Sequence, residues 1–317
     1  MTITIPIIAA DGTQSTVTLA APVVNAGFGQ PIMPAPPGFT NLVFHDAFPG
    51  TSLNLAKWNP ALGAQGGLWN NFSKLGKDPQ GFPYTGPNTN SAGVSEGYDS
   101  ELYAKSQIMV NNGLTIVAQP NTAKLAPGGI LYPYLSGALT TVAFPGSGPG
   151  VTVDFTLPST GKWYLQIRCK MPDMSNGIAP CLWFMPGASG GNVNEFDYIQ
   201  GCFGPQATSN PALYNNFPLG IDFDNGPAPT APPLVNVGFD STQAFHMYGI
   251  EFNWDAGTVT GYVDGAVVYT HATPPPQSYE IILNVQCWMK GQTWCTGVTG
   301  SNSGSWQIAE IQAYSSS

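Results

Sequence analysis

The chain is 317 residues long, and its composition and charge exclude several classes of protein. Hydrophobic residues make up 43% and aromatic residues 12% of the sequence, which is too apolar for an intrinsically disordered chain. The formal net charge is −9, with 18 acidic against 9 basic residues, so the sequence lacks the basic residues that a nucleic-acid partner requires. We therefore expect one main folded domain whose ligands are neutral and polar.

Residues 1–40 are predicted to form an amino-terminal arm. Two alternating stretches, TITIPII and STVTLAAPVV, are typical of short strands, and a Pro-rich connector, GQPIMPAPPG, follows them. The arm is either a small appended sheet or an edge strand pair of the main domain, and both alternatives stay open. The first residues carry no basic segment and Pro6 breaks their apolar run, so we expect neither a signal peptide nor a membrane span.

From residue 41 to residue 317, short strands and tight turns are predicted to alternate, in keeping with 38 glycines and 30 prolines. SQIMVNNGLTIVAQ predicts a hairpin around Asn112 and Gly113, because these residue types tolerate a positive φ. GKWYLQIRCKM predicts a strand with one polar face, and GTVTGYVDGAVVYTH predicts a second hairpin at Asp264 and Gly265. No helical period persists over three turns. The prediction is an all-β fold of two packed antiparallel sheets.

The stretch GNVNEFDYIQG, residues 191–201, places two acids close together in a chain with few charges. In a regular strand the side chains of Glu195 and Asp197 share one face, and Gln200 points the other way. One extra residue within DYIQ, a β-bulge, would bring all three to one face. We call Glu195, Asp197 and Gln200 on that face the row. Its end Cα atoms would lie about 13 Å apart, and long side chains leaning inward would bring the tips of residues 195 and 200 to about 5 Å from each other. Retaining glycosidases use that separation for their two carboxyl groups.

The segment EFDYIQ resembles the E-x-D-x-x-E signature of glycoside hydrolase family 16, the laminarinase and lichenase group, with glutamine in place of the last acid. Other segments resemble the same family in the same order, among them FHDAFPGTSLNLAKW, SELYAKSQIMVNNGLTIVA, IRCKMPDMSNGIAPCLWFMP, FHMYGIEFNWDAGTVTGYVDGAVVY and ILNVQCWMKG. The resemblance extends from residue 44 to about residue 314. It implies a concanavalin A-like jelly-roll sandwich with a carbohydrate-binding cleft on its concave face.

The resemblance also implies an activity, the retaining, endo-acting hydrolysis of a β-linked polysaccharide. The substrate would be a β-1,3- or mixed-linkage glucan, or a galactan. Glu195 matches the nucleophile and Asp197 the assisting acid, and Gln200 stands where the family has its general acid/base. An amide has no proton to donate near neutral pH, so activity is expected to fall by about 10²–10⁴-fold or more. Gln200 is either an engineered replacement or the native residue of a protein that has lost the reaction.

Aromatic side chains are the candidates for stacking against sugar rings, although core packing is the commoner role for any one of them. The candidates are Trp69, Trp163, Trp183 and Trp288. No cofactor or metal is predicted at the catalytic positions. Asp222 and Asp224 form only a weak calcium pattern, while a structural calcium ion elsewhere would fit the family.

Two other hypotheses come from the residues that do not fit the family pattern. Gln200 and the amino-terminal arm are also compatible with a non-catalytic carbohydrate-binding or virion adhesion protein. Alternatively, another carboxylate, such as Asp222, Asp224 or Glu101, replaces the missing acid. The expected location is extracellular or on a virus particle, with polysaccharide as the partner and no membrane contact. Cys287 and Cys295 bracket a short loop and could pair in an oxidising compartment.

Overall fold

The computed structural model describes an all-β protein. Its described residues are 3–8, 14–19, 34, 36–62, 75–86, 100–125, 129–186, 195–201, 215–216, 218–220, 222–223, 234–273, 277–287 and 301–316. Helical structure there is limited to short pieces, such as the 3-10 helices Lys105–Gln107 and Met174–Asn176. None of the described helices is long and apolar enough to cross a membrane.

The arm forms a sheet of its own. Strand β1 (Ile3–Ile8) pairs antiparallel with β2 (Gln14–Leu19), with Ile3 opposite Leu19. Among the described strands, β1 and β2 pair only with each other, and the arm as a separate unit stays a prediction. Strand β3 (Phe39–Asp46) already belongs to the main sandwich, so the chain enters the sandwich two residues before the predicted boundary.

The larger sheet of the sandwich has ten strands among the described residues and is antiparallel except for one parallel pair. Its order is β17-β16-β15-β9-β19-β6-β7-β4, with β3 also pairing β19 and β5 also pairing β6. The strands not yet given are β4 (Glu101–Tyr103), β5 (Ile108–Val110), β6 (Leu114–Pro120), β7 (Tyr134–Ser136), β9 (Lys162–Lys170), β15 (His246–Asn253), β16 (Thr258–Val263), β17 (Ala266–Ala272) and β19 (Gly304–Ser316).

The smaller sheet has five described strands in the order β13-β11-β10-β18-β8. These strands are β8 (Ala138–Thr140), β10 (Ile178–Pro186), β11 (Phe196–Gln200), β13 (Asp222–Phe223) and β18 (Tyr279–Cys287). A separate short pair joins β12 (Leu219–Gly220) to β14 (Leu234–Val235). The smaller sheet carries the sequence-predicted acids on its strand β11 and on the residue before it.

Both predicted hairpins are present. Strands β5 and β6 pair around Asn112, which has φ +50°, and β16 and β17 pair around Asp264 and Gly265, with φ of +49° and +80°. Asn, Asp and Gly are the residues that adopt this left-handed region at least cost. The positions of both turns are therefore as the sequence predicts.

An aromatic core joins the two sheets. Trp163 from β9 stacks on Phe252 from β15, with ring centroids 4.2 Å apart, and Phe252 meets Phe196 of the smaller sheet edge-on at 5.0 Å. Such pairs add about 0.5–1.5 kcal/mol each beyond the burial of their area. Trp163 has no exposed surface, so the prediction that it contacts substrate is wrong. Its alternation along β9 turns it toward the other sheet.

The polar face predicted for β9 exists, but it is buried rather than solvated. Gln166 donates a hydrogen bond to Gln312 of β19, and Arg168 Nη2 lies 3.4 Å from Glu310 Oε2. Gln312 Nε2 also donates to Glu310 Oε1 at 2.7 Å, and His45 Nε2 lies 3.1 Å from the same oxygen. We call these five residues the polar ladder. Buried polar groups require such mutual pairing, because an unpaired one costs stability.

Candidate active site

The predicted bulge is present in strand β11. Gln200 pairs with Cys181 of β10 and Ile199 pairs with Leu182, but the next pair is Asp197 with Trp183. Tyr198 is therefore the extra residue, with no partner of its own on β10. The register shift falls within DYIQ, as the spacing of the polar residues predicts.

The bulge turns two successive side chains inward. Tyr198 donates its hydroxyl hydrogen bond across the core, where its oxygen lies 2.6 Å from Gly249 O and 2.9 Å from Tyr262 O of the larger sheet. Ile199 is also fully buried in the core, opposite Leu182. After Tyr198 and Ile199, the regular alternation of inward and outward side chains resumes, shifted by one residue. Asp197 and Gln200 consequently project from the same outer face of the smaller sheet.

The acids and the glutamine differ in burial. Glu195 directly precedes β11 and is partly exposed, and Asp197 keeps only 6% of its surface exposed. Gln200 is partly exposed as a residue, yet its Oε1 is buried and accepts no hydrogen bond from the described residues. A buried acceptor of this kind is costly unless a ligand or solvent supplies the donor.

Of the two aromatic candidates within the described residues, Trp183 is the one that lies beside this row. It lies opposite Asp197 and is 3% exposed, and its indole Nε1 donates to Asn284 Oδ1 at 2.7 Å. Asn284 Nδ2 in turn donates to the Tyr103 hydroxyl at 2.7 Å, and that hydroxyl donates to Glu101 Oε1 at 2.5 Å. A chain of hydrogen bonds therefore fixes the indole ring beside Asp197.

Glu101 is the buried end of that chain. Its Oε2 accepts from the backbone amides of Ser100 at 3.1 Å and Cys287 at 2.9 Å. Burial raises the pKa of Glu101 to about 7, although hydrogen bonds from Tyr103 and from these amides oppose the rise. Glu101 has no exposed surface, so it does not itself reach a ligand in place of the missing acid.

Strand β18 supplies polar groups that the sequence reasoning missed. Glu280 and Gln286 alternate with Asn284 along β18, and all three therefore share the face of the row. Glu280 Oε2 accepts from the Thr140 hydroxyl, and Gln286 Oε1 lies 3.2 Å from Cys181 Sγ. The segment YEIILNVQC indicates these groups, because its polar residues are separated by even numbers of positions and so share one face of an otherwise apolar strand.

Other predicted residues are not brought to the row or lie outside the described residues. Trp163 is in the core, and Trp69, Trp288, Asp224 and Cys295 fall outside the described ranges, as does the side chain of Asp222. Cys287 is buried, and its pairing with Cys295 stays a prediction. Within the described ranges, no three His, Cys, Asp or Glu side chains are grouped as a metal site requires.

Known proteins resemble this chain in fold much more than in sequence. No protein-family model matches the chain. A curated β-glucanase of Paenibacillus polymyxa is 31% identical over 70 residues, which are 22% of this chain and 29% of that protein. The chain thus matches less than a third of the length of this curated relative.

Solved structures match over nearly the whole sandwich. An endo-β-1,3-glucanase of Pyrococcus furiosus has a TM-score of 0.59 at 18% identity, covering 88% of this chain and 98% of that one. SCLam, a non-specific endo-β-1,3(4)-glucanase from family GH16, has a TM-score of 0.59 at 16% identity, covering 93% and 98%. The chain has the fold of these glucanases. The laminarinase catalytic domain of Thermotoga petrophila RKU-1 agrees, with a TM-score of 0.57 at 19% identity over 87% and 97%. The predicted jelly roll and its resemblance to family 16 are confirmed at the level of the fold.

Proposed function

We propose that this chain binds a β-linked glucan along the row of Glu195, Asp197 and Gln200, and that it is a retaining glucanase disabled at residue 200. The bulge at Tyr198 carries the proposal, because it is what turns Gln200 to the face of Asp197. A strand that served only packing would have no need of a register shift at that point. The shared fold with endo-β-1,3-glucanases supports the choice of glucan as substrate.

In this proposal each residue has a distinct chemical role. The Glu195 carboxylate attacks the anomeric carbon and forms a covalent glycosyl intermediate, and Asp197 beside it tunes the charge of the neighbouring groups. Residue 200 would have to protonate the leaving oxygen and then activate water, and an amide does neither. The Gln200 oxygen instead accepts a hydrogen bond from a sugar hydroxyl, which would satisfy its unpartnered Oε1.

The test is Gln200→Glu. Because general acid/base assistance is worth about 10²–10⁴-fold, the release of reducing ends from laminarin or a mixed-linkage β-glucan should rise by that factor. Gln243→Glu is the matched control, since it makes the same amide-to-acid change at an exposed residue that belongs to neither sheet. It should leave hydrolysis unchanged. If Gln200→Glu releases no reducing ends from either glucan, the hydrolase proposal fails.

The second candidate function is glycan binding without turnover, and Gln200 is the observation that favours it. This function predicts that the unaltered chain binds β-glucan, that Glu195→Gln leaves the affinity within about threefold, and that Gln200→Glu gains no hydrolysis. Affinity gel electrophoresis with and without embedded glucan measures the binding, and the reducing-end assay of Gln200→Glu separates the two functions. A gain of turnover with Gln200→Glu rejects this second candidate.

A further inference from the structure

A pocket of about 410 Å³ lies on the outer face of the larger sheet, remote from the row on β11. Its volume is within the range of small-molecule sites, about 300–1,000 Å³. Phe252 of β15 points into the core, so Glu251 and Gly249 of the same strand face away from it. The lining residues are Tyr164 and Gln166 of β9, Met247 and Glu251 of β15, Tyr262 of β16, Gly265, and Pro34, Pro36 and Pro37 of the connector.

The position of the Tyr164 ring in this pocket depends on Gly249, which has no side chain. Gly249 pairs with Gln166 on one side and with Tyr262 on the other, at the centre of the lining strands. A Cβ atom at Gly249 would lie 1.8 Å from the Tyr164 hydroxyl oxygen, which would force that ring out of its place. The close approach of Tyr164 to the backbone requires glycine at this position.

Two polar atoms of the pocket lack partners among the described residues. Tyr164 and Glu251 are directly opposite each other on β9 and β15. Glu251 Oε2 accepts from the Tyr262 hydroxyl at 2.9 Å, but neither Glu251 Oε1 nor the Tyr164 hydroxyl bonds to another described group. Burial, together with Tyr262 and Glu251, raises the pKa of Tyr164, so its hydroxyl stays a donor throughout the physiological range.

We propose that this outer-face pocket binds a neutral pyranose ring. One sugar hydroxyl can accept from Tyr164 and donate to Glu251 Oε1, because a hydroxyl is both donor and acceptor. The apolar face of the ring would pack against Tyr262 and Met247. An ammonium ion carries donors alone, so it would leave the Tyr164 proton without an acceptor. The proposal stands on these residues and is independent of hydrolysis at the row.

Methionine methyl NMR tests the pocket directly, with methyl β-glucopyranoside and methyl β-galactopyranoside as probes. Met247 lines the pocket, and Met185 lies opposite Glu280 on the smaller sheet, so the two methyl groups report on the two sites separately. Met247→Leu and Met185→Leu assign their signals. At least one glycoside should shift the Met247 signal in a saturable way, whatever happens at Met185.

Two conservative variants and one matched control define the contacts. Tyr164→Phe should weaken the Met247 response about 5- to 10-fold because it removes the hydroxyl donor, and Glu251→Gln about tenfold or more because it replaces a charged acceptor oxygen with an amide donor. Tyr314→Phe is the control, because Tyr314 lies opposite Tyr164 on β19 but bonds to Gln312 instead. It should leave the response within about twofold of the unaltered protein.

The contrary results are equally specific. If neither glycoside shifts Met247, or if Tyr164→Phe and Glu251→Gln bind as the parent does, the pocket is not a sugar site. If methylammonium shifts Met247 and the glycosides do not, the Glu251 carboxylate serves a cation instead. Failure of the proposal for the row would appear at Met185 and in the Gln200→Glu assay, so the two failures are distinguishable.

Discussion

The polar ladder of the larger sheet and the row of Glu195, Asp197 and Gln200 on the smaller sheet differ in how their acceptors are paired. In the polar ladder of the larger sheet, both oxygens of Glu310 are occupied, by Gln312 and His45 on one side and Arg168 on the other. On the smaller sheet, the Oε1 of Gln200 is buried without a described partner. The comparison teaches that a carboxylate whose two oxygens are paired within its own row supports the fold, whereas a buried acceptor without a described donor favours a place for a ligand.

The sharpest test of this contrast removes Glu195 after hydrolysis has been restored. In a Gln200→Glu background, Glu195→Gln should abolish the whole gain of about 10²–10⁴-fold, because no nucleophile then forms the glycosyl intermediate. The rate of reducing-end release measures the loss. Retained hydrolysis would mean that a different carboxylate attacks the sugar and that the row is misassigned.

A substitution in the polar ladder should change the stability of the protein and leave the rate of hydrolysis unchanged. Arg168→Met removes one partner of a buried ion pair and should lower the free energy of unfolding by about 3 kcal/mol. Urea unfolding measures the change, with Lys170→Met, at the less buried end of the same strand, as the control. Hydrolysis by the folded Gln200→Glu protein should not change. If Arg168→Met lowered the rate of hydrolysis without lowering the free energy of unfolding, the ladder would not be purely structural.

Glu101 shares a feature with each group. Both of its carboxyl oxygens accept hydrogen bonds, as those of Glu310 do in the ladder, and a chain of hydrogen bonds connects it to Trp183 beside the row. The pKa of Glu101 is about 7 in the folded protein, whereas its ordinary value is 4.5. Between pH 4.5 and pH 7, Glu101 therefore keeps its proton in the folded state and loses it in the unfolded state. The free energy of unfolding should therefore fall by about 3 kcal/mol as pH rises from 4.5 to 7, because each pH unit contributes about 1.4 kcal/mol. Above pH 7 the contribution of Glu101 should stay level.

Glu101→Gln removes the titrating group and should flatten that part of the profile. Urea unfolding at several pH values compares the variant with the unaltered protein. A slope that persists in the variant would assign the titration to other groups.

The smallest expected effect concerns Tyr198. Tyr198→Phe removes the hydroxyl that contacts the carbonyls of Gly249 and Tyr262, and it should cost about 1–2 kcal/mol of stability. Because the extra residue remains, restored hydrolysis should fall less than tenfold. A loss of 10²-fold would show that the hydroxyl, and not the residue count, aligns the row.

The sequence allowed the strands, the two hairpins and the bulge to be predicted, for local reasons. Asn112, Asp264 and Gly265 determine their turns through the backbone they tolerate, and the spacing of Asp197 and Gln200 makes sense only with one inserted residue. The burial of Trp163 follows from the alternation along β9, because Trp163 shares its face with Leu165 and Ile167, and the choice of Trp163 as a sugar contact overlooked that pattern. Asn284 and Tyr103 were missed because their partners lie far away in sequence.

The bulge keeps Asp197 and Gln200 on one face although two residues, Tyr198 and Ile199, separate them. An in-frame deletion of the Tyr198 codon would restore ordinary pairing with β10 and leave only Ile199 pointing inward between the two polar residues. Asp197 and Gln200 would then still share the outer face, and the hydroxyl contacts of Tyr198 across the core would be lost. A substitution that removed the bulge without removing a residue would instead turn Gln200 into the sandwich, so the inward packing of Tyr198 and Ile199 together holds the row in place.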